Sequence, residues 1–225
     1  MSREPLIFDP THPAIRANPF PLFARMREED PVHRSPLFKS WIVTRYADVQ
    51  AVLNGPAMSA DRITPFYTAL PGQMQTRVAE LCRLLGLWLV FRDPPDHTRM
   101  RTVMQRAFTP KALARLRPAV EGIVEHLMEQ LEAKEEADLV ADFTTPLPAY
   151  VIMDMLGVPR DMLEPMKAWS DEIRLFIGTA RGVPDKYEKA QHGLREMAAW
   201  FRKLIEERRR DPRDDVLTAL VQARD

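Results

Sequence analysis

The sequence has few features that would cross-link the chain or anchor it in a membrane. Cys82 is the one cysteine among 225 residues, which excludes an intramolecular disulfide and fits a reducing compartment. The most apolar run, residues 84–91, is far too short to cross a bilayer. The first residues, MSREPLIFDPTHP, lack an apolar stretch of signal-peptide length. These absences predict a soluble, cytoplasmic protein that does not associate with membranes.

An excess of charge of either sign is also missing. The 32 basic side chains equal the 32 acidic ones, so the chain as a whole carries no electrostatic footprint for nucleic acid. Hydrophobic residues make up 45% and charged residues 28%, a balance typical of globular proteins. The length fits one large domain or two small ones.

The pattern of apolar residues predicts a mainly α protein with a small β-sheet. Residues 32–34 and 41–43 are rich in β-forming residues and flank a turn at Ser35-Pro36, which predicts a hairpin near 32–45. Residues 137–143 alternate enough to predict one more short strand. Predicted helices cover residues 21–29, 47–54, 73–85, 94–108, 109–131 (with Thr109 as N-cap), 148–156, 161–177, 187–210 and 214–225. The last of these has no terminating signal, so we expect the sequence to be interrupted there.

Basic side chains end the helix predicted for residues 187–210. Arg208, Arg209 and Arg210 form a triplet that could be a binding patch. Cations in a final helical turn complement the helix macrodipole and usually face water. We therefore expect this triplet to be solvated.

The helix predicted for residues 94–108 places two cationic side chains among apolar ones. Asp93 is a favourable N-cap for it. At about 100° per residue, His97, Arg101, Met104 and Phe108 fall within about 60° of one another, which predicts that they share a packed face. Arg99 and Arg106 fall on the opposite face.

A desolvated guanidinium needs a partner, so this face calls for an anion. His97 and Arg101 together donate hydrogen bonds suited to one carboxylate or phosphate. An alternative is equally compatible with the spacing: Arg101 pairs with an internal Asp or Glu, and His97 is a core histidine. A metal site is disfavoured, because arginine is not a ligand and the other histidines, His12, His33, His126 and His192, lack ligand spacing.

The string DPPDHTRMR (residues 93–101), followed by FTP at 108–110, closely resembles the C-helix signature of bacterial cytochrome P450 enzymes, the haem-thiolate monooxygenases. Further segments resemble the same family in the same order, so the resemblance covers all 225 residues. These are residues 18–21, 41–49, 59–62, 156–159 and 214–217.

The resemblance implies a cytochrome P450-like fold truncated before the I helix. Residues 1–225 would be the N-terminal portion of a single domain, from the A to the H helix region. In the family the His and Arg of the signature bind a haem propionate, which assigns His97 and Arg101 to cofactor binding. The resemblance also implies haem b as cofactor and a small hydrophobic organic substrate that receives one oxygen atom of O2. Electrons would come from a ferredoxin or flavoprotein.

The axial thiolate of the family lies beyond these residues, and none of the 225 is assigned a catalytic or metal-ligating role. Cys82, in the apolar context VAELCRLLG, is more typical of a small core residue than of an iron ligand. Two further hypotheses therefore stand beside the monooxygenase. The chain could be a non-catalytic helical binding module, or a separate C-terminal segment could complete it.

The family's substrate pocket is lined by the region between the B and C helices and by the F helix. By resemblance, the substrate-side candidates here are Leu87, Leu89, Val90, Ile173, Phe176 and Ile177. Their apolar character suits a hydrophobic substrate. Simple core packing explains any single one of them equally well.

Overall fold

A computed structural model describes residues 6–108, 110–177 and 183–223 of the chain. The chain divides into two compact units, residues 1–59 and 60–225. The described residues are mostly helical with one two-stranded sheet, which confirms the predicted class. The predicted N-cap role of Thr109 lies outside the described residues.

The first unit contains the predicted hairpin. Its strands pair antiparallel, with Val32 opposite Val43 and Ser35 opposite Ser40. A stack of Phe8 on Phe23, with ring centroids 5.6 Å apart, adds to the packing of this unit. Its elements are α1 (Pro13–Ala17), α2 (Phe20–Glu29), β1 (Val32–Ser35), β2 (Ser40–Val43) and α3 (Tyr46–Asn54).

The described residues of the second unit form helices joined by turns and loops, with no strand among them. A short 3-10 helix, Leu89–Phe91, precedes the helix that carries His97 and Arg101. The α-helices are α4 (Ile63–Thr68), α5 (Gly72–Leu85), α6 (Asp96–Ala107), α7 (Pro110–Glu132), α8 (Pro146–Leu156), α9 (Leu163–Ile177), α10 (Lys186–Arg210) and α11 (Val216–Gln222). Most of the helices predicted here are therefore confirmed to within a few residues.

The strand predicted at residues 137–143 is wrong. Val140–Thr144 forms one turn of π-helix that leads into α8. The Asp138 carboxylate accepts hydrogen bonds from the backbone N–H groups of Val140 (2.8 Å) and Ala141 (3.1 Å). An acidic side chain that satisfies free N–H groups favours the start of a helical turn over an extended strand.

Two apolar clusters hold the second unit together. One joins α5, α9 and α10 and includes Cys82, which is buried as predicted for a small core residue. The other joins α8, α10 and α11 around Met153, Leu204 and Leu217. α10 contributes to both clusters, so it is the central helix of this unit.

The basic triplet at the end of α10 is only partly solvated, which corrects the expectation for Arg208. The Arg208 side chain is 1% exposed. Its Nε donates to Oδ2 of Asp215 (2.5 Å) and its Nη2 donates to the Gly157 carbonyl oxygen (2.9 Å). Position 208 follows Leu204 by one helical turn, so it lies on the apolar face of α10. Arg209 and Arg210 are exposed.

Across the residues that the structure describes, none of the helices has the length and apolarity that a membrane crossing requires. The same residues contain no group of three His, Cys, Asp or Glu side chains placed to hold a metal ion.

Candidate functional site

The approach to α6 is fixed by Asp93, though not as the sequence predicts. α6 begins at Asp96, and the Asp93 carboxylate does not cap it. Oδ1 of Asp93 instead accepts a hydrogen bond from the backbone N–H of Ala60 (2.7 Å). The Asp93 carbonyl oxygen accepts from the backbone N–H of His97 (3.0 Å), which starts the helical hydrogen-bond pattern. The side chain thus ties the start of α6 to the segment before α4.

His97 and Arg101 lie on one face of α6, but that face is not packed. His97 is half-buried and Arg101 is exposed. Met104 is 38% and Phe108 is 39% exposed, although helical phase predicts burial for both. In the described chain α6 packs mainly against α11 and the 3-10 helix. The exposure of Arg101, Met104 and Phe108 shows that this face is left uncovered by the described residues. The expectation of a packed face is therefore wrong for these residues.

The two cationic side chains are not neutralised by the described part of the protein. No carboxylate there forms an ion pair with Arg101, and no described residue hydrogen-bonds the imidazole of His97. The alternative in which Arg101 pairs with an internal Asp or Glu is thus not the arrangement observed. The site is chemically suited to a carboxylate attached to an apolar body, because two nitrogen donors adjoin two exposed apolar side chains.

Cys82 does not offer an iron ligand. Its side chain lies in the apolar cluster of α5, α9 and α10, and burial raises the pKa of the thiol. A thiolate is the form that binds a metal, so a buried thiol is poorly suited to that role. The residues present fit the carboxylate end of a haem and supply no thiolate for its iron.

A small cleft brings together two of the six substrate-side candidates. Phe176 and Ile177, at the end of α9, line a cleft of about 190 Å³ with Phe66 of α4 and Tyr187 of α10. Ile173, one turn earlier, is buried in the core cluster instead. Phe176 and Ile177 thus have a surface that a ligand can contact.

The remaining three candidates lie near the 3-10 helix. Leu87 is 51% exposed and lines a second, more polar cleft that also contains Cys82 and Asp61. Leu89 is half-buried, and Val90 is 56% exposed. These three residues do not share the cleft of Phe176 and Ile177.

Sequence reasoning missed the residues that complete the first cleft. Phe66 and Arg62 belong to a proline-containing region that lacks apolar periodicity, and neither was among the substrate-side candidates. Tyr187 does fall on the apolar face predicted for α10, and Lys186 precedes it at the helix start. The packing of α4 on α5 brings Phe66 and Arg62 next to α9 and α10.

A larger apolar groove lies between α8, α9 and α10. It has a volume of about 410 Å³. Its walls include Ile152, Met153, Met166 and Phe201, and Ile152 is 56% exposed. Exposed apolar grooves are common at interaction sites of proteins.

Comparison with known proteins points to one family, although no protein-family model matches the sequence. The polyketide biosynthesis cytochrome P450 PksS of Bacillus subtilis (strain 168) is 33% identical over 98% of this chain and 54% of that protein. The cytochrome P450 monooxygenase PikC of Streptomyces venezuelae is 33% identical over 93% of this chain and 47% of that protein.

A solved structure shows the same relationship at the level of the fold. The crystal structure of P450BioI, in complex with an acyl carrier protein ligated to hexadec-9Z-enoic acid, matches with a TM-score of 0.82 and 26% identity. That match covers 94% of this chain and 53% of the other. The chain therefore spans about half the length of the relatives that it matches.

Proposed function

Because this chain is related to the bacterial cytochrome P450s and folds like about half of one, we propose that it is the N-terminal portion of a single haem-thiolate monooxygenase domain. The observation that carries this proposal is the uncovered face of α6. His97 and Arg101 lie there without a described carboxylate partner, next to the exposed side chains of Met104 and Phe108. A haem provides both a carboxylate and a flat apolar body for such a face.

In this proposal His97 and Arg101 bind a propionate. Arg101 donates from a planar, permanently charged guanidinium, which suits bidentate contact with a carboxylate. Met104 and Phe108 cover apolar surface beside it and keep water away from the charged contact, which strengthens that contact. A bound haem b supplies the oxygen chemistry itself, the insertion of one oxygen atom of O2 into an organic substrate.

The thiolate that such a haem requires has to come from polypeptide outside these 225 residues. We propose a ferredoxin or flavoprotein as electron donor and the cytoplasm as the compartment, since the single cysteine is a free, buried thiol. The cleft that Phe176 and Ile177 line is the substrate side of this site, and its apolar walls suit a small hydrophobic molecule.

A second candidate is favoured by the groove between α8, α9 and α10. Its walls are almost wholly apolar and include the exposed Ile152. A surface of this kind fits an apolar segment of another polypeptide. In this reading the 225 residues are a helical binding module, either completed in trans by a separate C-terminal segment or without catalytic activity.

The propionate role is tested by titrating the chain with haemin and following the Soret absorbance. We expect Arg101→Gln to weaken haemin binding by roughly tenfold, because a charge-assisted hydrogen bond is lost. Arg99→Gln is the matched control, since it removes the same charge from the opposite face of α6. Haemin dimethyl ester is the second control, because its propionates are blocked and Arg101→Gln should not change its binding.

Two outcomes would contradict the proposal. Equal haemin affinities of the Arg101→Gln and Arg99→Gln variants would remove the propionate role. Failure of the unmodified chain to bind haemin would leave the binding-module candidate as the better description of these residues.

A further inference from the structure

The helix α3 ends in an Asn-Gly pair. Asn54 is the final residue of the helix, and Gly55 follows it in an extended conformation, with a φ of −72° and a ψ of 128°. The side chain of Asn54 is exposed, and its amide has no hydrogen-bond partner among the described residues. The amide carbon of this side chain is therefore accessible to a nucleophile.

The backbone nitrogen of Gly55 can act as that nucleophile. Within the described chain its N–H group donates to no acceptor, whereas the N–H groups that follow α1 and α2 donate to the preceding helical turn. Glycine has no Cβ, so no side chain on Gly55 hinders the approach of its nitrogen to the Asn54 side chain. The last turn of a helix frays readily, and rotation of Asn54 about ψ breaks no hydrogen bond donated by Gly55.

We propose that Asn54 is a site of spontaneous deamidation. Once base has removed the amide proton of Gly55, its nitrogen forms a bond to Cγ of Asn54, and the bond from Cγ to Nδ2 breaks as ammonia leaves with a proton taken from water. Water then opens the cyclic imide. Opening at Cγ yields aspartate, and opening at the backbone carbonyl carbon yields isoaspartate, in which the main chain runs through the former side chain. The net reaction consumes water and releases ammonia, with no oxidant or reductant.

The modification changes the end of α3 in two ways. Either product places a carboxylate at the negative end of the helix macrodipole, which destabilises the last turn. Gly55 also lies close to that turn, since a Cβ on it would be 2.6 Å from the carbonyl oxygen of Ala51. Isoaspartate adds a carbon to the main chain directly before Gly55, which displaces Gly55 from Ala51 and strains the bond that its carbonyl oxygen accepts from the N–H of Met58 (3.2 Å). Residues 54–58 therefore loosen.

The chain contains its own control, because Asn18 and Asn54 are its two asparagines. Asn18 precedes Pro19, whose nitrogen carries no hydrogen and cannot close an imide. Trypsin separates the two asparagines into peptides 17–25 and 46–62. Mass spectrometry of these peptides from the full chain, incubated at neutral and at alkaline pH, measures the reaction against an unincubated sample digested in parallel.

We expect peptide 46–62 to gain the mass difference between an amide and a carboxyl group and to separate into aspartate and isoaspartate forms. Peptide 17–25 should keep its mass. The rate should rise by roughly tenfold for each unit of pH, because it follows the deprotonated fraction of the Gly55 amide. Asn54→Gln should lower the rate by more than roughly tenfold, because the longer side chain has to close a larger ring.

The Asn54→Asp variant separates the effect of charge from that of the added carbon. It carries the new carboxylate on an unaltered main chain. We expect the backbone amides of residues 54–58 to exchange with deuterium faster in the purified isoaspartate form than in Asn54→Asp. Equal exchange in the two would contradict the displacement of Gly55.

A synthetic peptide of residues 46–62 provides the unfolded reference. The rate in the folded chain should lie within roughly tenfold of the rate in this peptide, because only the frayed last turn of α3 has to open. A slower folded chain would overturn the proposal, and so would equal rates for the chain and Asn54→Gln. Haemin binding by α6 depends on neither result, so the proposed function is tested separately.

Discussion

At the scale of single residues, Arg208 shows how a buried charge is held. Its three nitrogen donors reach three acceptors: Asp215 (2.5 Å), the Gly157 carbonyl oxygen (2.9 Å) and Glu207 (3.1 Å). The side chain of Asp215 is only 7% exposed, so both charges of this ion pair are desolvated. An acceptor for each of the three nitrogens offsets part of that desolvation cost.

We expect Arg208→Met to lower the free energy of unfolding by about 3–5 kcal/mol, because Asp215 would be left buried and unpaired. Urea denaturation followed by circular dichroism measures this. The double variant Arg208→Met/Asp215→Asn should cost less, because no lone charge remains and Asn still caps α11. The exposed neighbour is the control: Arg209→Met should change stability by no more than about 0.5 kcal/mol. Equal losses for the two single variants would contradict this assignment.

The predicted exposures of Arg101 and Arg208 were both wrong, in opposite directions. Helical phase predicts that Arg101 is packed, and it is exposed; its place in a final helical turn predicts that Arg208 is solvated, and it is buried on the apolar face of α10. Phase identifies which side chains share a face. It does not show whether another element covers that face, which depends on tertiary packing.

At the scale of elements, Gly157 is the residue that ends α8. Its φ of 66° is left-handed, and its carbonyl oxygen accepts from Arg208. A Cβ at this position would collide with the side chains of Asp215 and Arg208. A single residue thus ends one helix and leaves room for an ion pair that joins two others.

We expect Gly157→Ala to lower the free energy of unfolding by more than about 1 kcal/mol, because the left-handed conformation and the collision both oppose a Cβ. Gly122→Ala is the matched control. Gly122 lies inside α7, where an added Cβ meets nothing within 4 Å, so this change should raise stability by about 0.5–1 kcal/mol. Thermal unfolding of both variants distinguishes them. A neutral Gly157→Ala would show that the helix end is not constrained in this way.

The sequence predicts long periodic helices well and short irregular ones poorly. α5, α9 and α10 match their predicted ranges closely, since each has an apolar face several turns long. α4 was not predicted, because it has a single internal proline and only six residues. α4 contributes Phe66 to the cleft. The sequence therefore predicted only the side of the cleft that Phe176 and Ile177 form.

At the scale of the whole molecule, the equal numbers of basic and acidic side chains include several carboxyl groups whose pKa is lowered. Hydrogen bonds hold the pKa of four carboxyls below the usual range: from Thr64 to Asp61, from Arg195 to Glu80, from Lys134 to Asp142 and from a backbone N–H to Glu188. For Asp215, burial raises the pKa, but hydrogen bonds from Arg208 and Thr218 outweigh it and the net pKa is lowered.

A lowered carboxyl pKa stabilises the fold above the unfolded-state pKa of about 4, and that stability is lost as the pH falls through the folded-state pKa. We therefore expect the free energy of unfolding to decrease from about pH 5 to about pH 3. Asp215→Asn should flatten this profile, because the buried pair no longer titrates. Glu80→Gln, at an exposed pair, should change it little. Identical profiles for the chain and Asp215→Asn would contradict this prediction.

The fold class could be predicted from the sequence, and so could the position of His97 and Arg101 on the same face of one helix. The exposure of that face could not, because it depends on which elements pack on α6, and in the described chain these are mainly α11 and the 3-10 helix. The chain also spans about half the length of its relatives. Met104, Phe108 and Ile152, which look core-like in the sequence, are exposed in the described chain.

The contact of Arg208 with Gly157 and Asp215 also has a kinetic consequence. Arg208, in the last turn of α10, is bonded both to the residue that ends α8 and to the residue that caps α11, so fraying of any of these ends breaks a bond to Arg208 or from it. Their backbone amides should therefore exchange with deuterium as one cooperative unit. α11 also packs on α6, so joint opening of these three helix ends would loosen the helix that carries Arg101.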